Sequence, residues 1–402
     1  MKLTAILLLL TLSSLLSAQM DQFRGSNRDG IFPDRDLLDQ WPEEGPELLT
    51  EINIRGDGYG SPSFNEKGMY IAGMEEDKAY LYHFNNDDEL QWKVSYGDDF
   101  RYKFNGSRAT PTLEDERVYY SGTYGRILCV DNGNGSILWE RNLFSELGAD
   151  TIKWGYTESP LIYQNLLILT PGAPEHSVVA LDKMSGEQLW TLHLENCRNA
   201  YNSPVLIRHK TEDLVMLTTT THLLLLRPLS GELVFSHPIL HERNMHALSP
   251  LYRNGKIFYS SGYGEGATLF NLNEDTGFMD TLYYNADLDC KLSGLIEVDG
   301  TVFGTSDKKK QWVGVDLESG NTVFTSRELK PGSFVMADGK FFIFTETGEV
   351  ALARPAKDGF RVISRFSIPA KGVKMAFAHP VIHRGRLYVR YRGQVWGYAI
   401  AE

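Results

Sequence analysis

Seven polar side chains stand at one recurring position in this chain, and they are the residues best placed to do chemistry. Arg108, Glu158, Asn202, His246, Lys291, Lys330 and His379 each lie at, or just before, a dipeptide of the Ser-Pro type. The dipeptides are Ser61-Pro62, Thr110-Pro111, Ser159-Pro160, Ser203-Pro204 and Ser249-Pro250. Gly294-Leu295, Ser333-Phe334 and His379-Pro380 are weaker copies. If these dipeptides share one end of a ring of elements, the seven side chains form a ligand-binding channel mouth of mixed charge, suited to an acidic or polyhydroxylated ligand. Glu158 and His246 are an acid–base couple by residue type. The competing reading is a set of polar residues that satisfy strand ends and line a wet channel.

Other constellations carry less. His237, His241 and His246 with Glu242 offer zinc-ligand types within one connection, but no regular element there preorganises them. Asp131–Gly135 and Asn85–Glu89 have calcium-loop composition. Both lack the downstream bidentate Glu, and a hairpin turn explains the same Asn, Asp and Gly. Lys308-Lys309-Lys310 reads as a solvated loop tip. Gly262–Gly266 is glycine-rich but opens no helix, so it is no dinucleotide fingerprint, and neither a P-loop nor a Gly-x-Ser-x-Gly elbow is present. Cys129, in an apolar strand, is a core residue by pattern; Cys197 and Cys290 lie in connections, with no disulfide expected.

The elements that position these residues are strands. Successive dipeptides are 49, 49, 44, 46, 45, 39 and 46 residues apart. Within four of these intervals a second pattern, Asp-x-x-x-Gly-x-x-x-Trp, appears at Asp131/Gly135/Trp139 and Asp182/Gly186/Trp190, with variants at Asp316/Gly320/Phe324 and Arg227/Gly231/Phe235. The Asp-to-Gly segment predicts a hairpin turn, and the aromatic residue predicts packing between neighbouring repeats, a role extended to Trp92. A period near 45 residues with four strand-like runs predicts an all-β, eight-bladed β-propeller, with seven blades if one weak repeat is miscounted. The last repeat, from His379, holds only about three strands. The run at 47–54 precedes the first dipeptide, so it is expected to supply the missing outer strand and close the ring.

These motifs resemble the pyrroloquinoline quinone (PQQ)-like propeller family. Ala180–Trp190 resembles its Ala-x-Asp-x-x-Thr-Gly-x-x-x-Trp core. Gln22–Gly30 and Trp154–Pro160 resemble stretches found in secreted bacterial members. The resemblance covers most of the chain from Gln22 onward and implies fold more than activity. Its members include dehydrogenases that bind PQQ and Ca²⁺, lipid-anchored subunits of outer-membrane protein assembly, and secreted propellers without a recognisable catalytic set. Here no two cysteines are adjacent, unlike the vicinal pair of many quinoprotein alcohol dehydrogenases, and no Cys follows the leading apolar run to take a lipid. No catalytic residue is carried over.

Residues 1–18 read as a secretory signal, with a membrane anchor as the rival reading, 19–46 as a lead-in and 47–402 as the propeller. Losing Lys2 with the signal moves the net charge from −12 to −13, which argues against nucleic acid and anionic membranes. The expectation is an exported, periplasmic or secreted monomer without cofactor or metal and without membrane insertion once the signal is removed. It acts as a binding or scaffold module for a protein or carbohydrate partner. The alternatives are a PQQ- and Ca²⁺-dependent alcohol or sugar dehydrogenase and an outer-membrane protein assembly subunit.

Overall fold

The computed structural model describes residues 22–54 and 56–401; the signal predicted over 1–18 lies outside them. The chain is a β-propeller. Apolar content falls from the second and third strands of each repeat to the fourth. Leu223–Leu226, covered on both faces, is wholly buried, whereas the outer strand Gln188–Leu192 has no fully buried residue. Strands buried on both faces read as continuous apolar runs, and outer strands do not.

Grouped by their antiparallel ladders, the described strands form eight four-stranded sets. One set carries an additional short strand, Gly56–Asp57, and two adjacent sets are joined by a single parallel bridge, Ser236 to Phe278. The inner strands are Ser63–Asn65, Thr112–Leu113, Leu161–Tyr163, Val205–His209, Leu251–Arg253, Ile296–Val298, Gly332–Ala337 and Val381–His383. Each begins close to its expected dipeptide. The ring closes as the sequence predicts: Leu48–Asn53 pairs antiparallel with Gln394–Ala399 and completes the last set. Trp396, fully buried, anchors that closure.

The dipeptides have a structural task that the sequence did not disclose. Several of their hydroxyls tie one inner strand to its neighbour. Thr110 N donates to Ser159 Oγ at 2.9 Å, and Ser159 N donates to Ser203 Oγ at 2.9 Å. Ser249 Oγ donates to Ser203 O at 3.0 Å, and Ser61 Oγ donates to His379 O at 2.9 Å. Serine supplies both donor and acceptor on a short stem, while the following proline removes an N–H that would have no ladder partner there.

The Asp-x-x-x-Gly turns behave as expected. Asp182 Oδ1 accepts from Met184 N and Ser185 N, both at 2.9 Å, and Gly186 N donates to Asp182 O at 2.8 Å. These turns are also contacts between blades. Gly186 (φ +76°) lies against the indole of Trp139 from the preceding repeat, whose Nε1 donates to Lys183 O at 3.0 Å. Gly135 meets Trp92, Gly231 meets Trp190, and Gly320 meets Tyr283 in the same way. Tyr283 therefore takes the indole's place in a repeat where the sequence pattern shows no tryptophan.

Among the described residues one short helix, Leu143–Leu147, interrupts the β pattern; Asn142 caps it by accepting from Phe144 N and Ser145 N. Cys129, Cys197 and Cys290 are free and buried. Among the described residues no helix is long and apolar enough to cross a membrane.

Candidate functional site

The lead-in enters the central channel and stoppers it. Arg28 is buried there, and its Nη1 donates to Ser159 O at 2.9 Å and Pro204 O at 2.8 Å, while Nη2 reaches Pro160 O at 2.5 Å. Arg24 donates to His379 Nδ1 at 2.9 Å and to Asp29 O at 3.0 Å. The donated bond requires His379 Nδ1 to be unprotonated. Burial, with the Arg24 charge beside it, holds that imidazole well below its usual range. Burial also pulls the Arg24 guanidinium down to about 10. Gly294 interrupts the Ser-Pro series for a spatial reason: a Cβ there would stand 2.0 Å from Arg24 Nη1. Beyond the channel the segment joins the last two sets, with Phe32 N donating to Met336 O and Leu38 N to Ile400 O, both at 2.7 Å.

Over this stopper lies a cup of about 290 Å³ with Phe23 and His379 among its lining residues. Its aromatic wall is continuous. Phe104 meets Tyr59 at 6.1 Å, Trp154 at 5.8 Å and Phe377 at 5.9 Å between ring centroids. Tyr201, Tyr263, Met245 and Met375 extend the lining. The serine and threonine hydroxyls of the lining are already engaged: Thr157 Oγ1 donates to Tyr201 O at 2.6 Å, and Ser61, Ser159 and Ser203 belong to the inter-strand ties. The uncommitted charge is cationic. The lining has Arg108 and Lys291 and no carboxylate. A second cavity of about 380 Å³ shares Phe23 and His379 and runs along inner strands toward Arg208 and Asp213.

Of the seven side chains singled out from the sequence, three reach the cup: Arg108, Lys291 and His379. Arg108 also braces the wall, donating to Trp154 O at 2.5 Å and Gly106 O at 3.0 Å. Glu158, Asn202 and His246 turn into the blades. Glu158 is fully buried, accepting from Thr170 N at 2.9 Å and Asn199 Nδ2 at 3.2 Å. Asn202 donates to Thr218 O at 2.7 Å. His246 pairs through Nδ1 with the Tyr259 hydroxyl and lies 3.3 Å from Thr220 O through Nε2, and burial holds it down to about 4. Glu158 and His246 thus serve separate partners and form no acid–base couple. Lys330 is exposed, and its carbonyl accepts from Trp312 Nε1 at 3.2 Å.

The sequence reading missed the wall itself. Tyr59, Tyr201 and Phe377 each stand two residues before a dipeptide, a periodic signal, whereas Phe104 and Trp154 stand six and five residues before theirs and share no offset. The concentration of aromatic residues in the connections was a further cue. The remaining clusters resolve into structural roles. His237 Nδ1 lies 3.0 Å from Met279 O, away from the His241–His246 pair, and no group of three metal-ligating side chains occurs among the described residues. Asp131 Oδ1 accepts from Gly133 N and Asn134 N as a turn. Lys309 pairs with Asp287, and Lys310 with Asp307.

Comparison with known proteins agrees with this architecture. The profile of the family described as outer membrane protein assembly factor BamB, a PQQ-repeat family, matches residues 77–326. BamB from Moraxella catarrhalis superposes with a TM-score of 0.63 at 14% identity, over 88% of this chain and 97% of that one. A quinohemoprotein alcohol dehydrogenase, ADHIIG from Pseudomonas putida, superposes at 0.60 with 12% identity, over 96% and 80%. In sequence, the quinoprotein alcohol dehydrogenase PedH of Pseudomonas putida is 27% identical over 152 residues, 36% of this chain. The match spans about a quarter of PedH, 24% of its length.

Proposed function

We propose, from the premise that the chain belongs to the PQQ-repeat family described as outer membrane protein assembly factor BamB, that it is an exported, non-catalytic propeller whose cup holds an apolar anchor of a protein partner. The observation that carries this reading is the composition of the cup. Tyrosine, tryptophan, phenylalanine, methionine and arginine are the residue types enriched at protein interfaces and their hot spots, and all five line this cavity. A volume of about 290 Å³ is at the small end for ligand sites. It suits one or two side chains rather than an extended oligosaccharide. A sugar also brings hydroxyls that need partners once desolvated, and the serine and threonine hydroxyls here are already engaged.

A calcium-held quinone does not fit the cup. Ca²⁺ takes six to eight oxygen ligands, carboxylates prominent among them, and the lining contains no Asp or Glu. No step is routed through that cofactor.

The test is calorimetric titration of the purified protein with three probes: the peptide Gly-Ser-Phe-Leu-Ser-Gly, a malto-oligosaccharide, and PQQ with Ca²⁺. The peptide is expected to bind, and Trp154→Ala to weaken it by about 10-fold or more, the loss typical of a hot-spot aromatic. Saturable binding of PQQ that requires Ca²⁺, or of the sugar without the peptide, would overturn the reading.

A further inference from the structure

Six of the eight cation–π contacts among the described residues crowd around the mouth of this cup. Lys103 lies 6.0 Å from the Tyr102 ring centroid, and Lys153 lies 5.3 Å from Trp154. Arg243 and Lys291 both pack on Tyr263, at 4.7 and 4.5 Å. Arg108 lies 4.3 Å from Phe100 and 5.7 Å from Tyr59. Tyr59, Trp154 and Tyr263 line the cup, Tyr102 stacks on Trp154 at 6.5 Å, and Phe100 packs on Arg108 of the lining. Among the described residues none of these five cations has a carboxylate within 4.0 Å. Asp99 and Glu346 are close enough to act electrostatically on Arg108 and Lys291 respectively, but neither pairs with its cation, and Asp99 is buried and accepts from Tyr96, Thr123 and Phe100 N.

An aromatic face fixes where a cation stands without cancelling its charge, which a salt bridge would do. The collar is therefore a set of positioned, unneutralised cations on a chain whose net charge is −12. We infer that the collar recognises carboxylates flanking the apolar anchor, so that the partner presents a short acidic–apolar protein segment to the cup. Charge complementarity argues for this occupant, because a mouth of one sign focuses the field on an approaching segment of the other. A long polyanion is disfavoured, since the acidic remainder of the surface repels whatever extends beyond the mouth. The inference rests on the reading of the cup as a site for an apolar anchor.

The test uses two fluorescein-labelled peptides on the full protein, Glu-Glu-Phe-Leu-Glu-Glu and its amide analogue Gln-Gln-Phe-Leu-Gln-Gln. Binding is followed by anisotropy at about 50 mM and about 500 mM salt, where screening lengths differ several-fold. The acidic peptide is expected to bind about 10-fold or more tighter at low salt, with the preference shrinking at high salt. The double variant Lys153→Glu/Arg243→Glu alters two exposed side chains without ion pairs, so the fold is expected to survive, and it should erase the preference while leaving amide-peptide affinity nearly unchanged. Equal binding of both peptides, or a preference that survives the double variant, overturns the collar and leaves the cup reading standing. Failure of both peptides to bind overturns the cup reading, and the collar falls with it. Polygalacturonate that displaces the acidic peptide at lower concentration of charge also overturns the assignment, because the occupant would then be an acidic polysaccharide.

Discussion

Glu158→Gln is expected to make the protein more stable at pH 8 by up to about 3–5 kcal/mol while changing little near pH 4.5, on the scale of 1.36 kcal/mol per unit of pKa shift. The carboxyl is fully buried, and burial pushes it up to about 8. The bonds from Thr170 and the charge of Arg28 pull the other way and lose. In the unfolded chain the same group titrates in the ordinary carboxylate range. Between about pH 4.5 and 8 the folded protein therefore holds a proton that the unfolded chain has released, and stability falls as pH rises. Its contribution is fully present below the unfolded pKa and lost as pH climbs through the folded one. Glutamine cannot ionise, and its carbonyl can still accept from Thr170 N. His246 works with the opposite sign: held down to about 4, it costs stability as pH falls from about 6.5 toward that value. That term is common to both proteins and cancels in the difference. Urea midpoints at several values between pH 5 and 8 measure the effect. Parallel profiles for the two proteins would show that Glu158 is already ionised in the fold.

Gly186→Ala should destabilise the fold by about 2–5 kcal/mol, the sum of left-handed backbone strain of about 1–2 and overpacking of about 1–3. Gly186 has φ +76°, and an added Cβ would meet the Trp139 ring at 2.8 and 2.9 Å. The ring cannot retreat easily, because its Nε1 is tied to Lys183 O. Gly339→Ala separates the two causes. Gly339 has φ +68° and nothing within 4 Å of the would-be Cβ, so that variant carries the backbone strain alone, about 1–2 kcal/mol. Denaturant unfolding of both variants gives the contrast. Equal losses would mean that the pressed contact between blades adds nothing to the intrinsic cost of alanine at positive φ.

Much of the architecture was legible because it repeats. A serine every 45 or so residues marks the start of an inner strand, and each Asp-to-Gly turn precedes an aromatic wedge. Ring closure was readable by counting, since one strand too many at Leu48–Asn53 matches one too few after His379. The helix at Leu143–Leu147 was not readable, because five residues carry no helical period and only the Asn142 cap marks them. The site was less legible still. Arg108, Lys291 and His379 line the cup, whereas Glu158, Asn202 and His246 occupy equivalent sequence positions and turn inward instead.

The amino-acid sequence by itself thus determined the repeat, the class of fold and how the ring closes. These follow from local turn chemistry and strand-scale hydrophobic runs, which act between residues close in the chain or one period apart. Only the tertiary structure decided that the lead-in enters the channel, that Gly294 is small to admit Arg24, and that Phe104 and Trp154 join Tyr59, Tyr201 and Phe377 in one wall beneath cations held on aromatic faces. Those outcomes depend on which side chains meet across the ring axis. Residues such as Arg24 and His379, 355 positions apart in sequence, share no local pattern that would announce their contact.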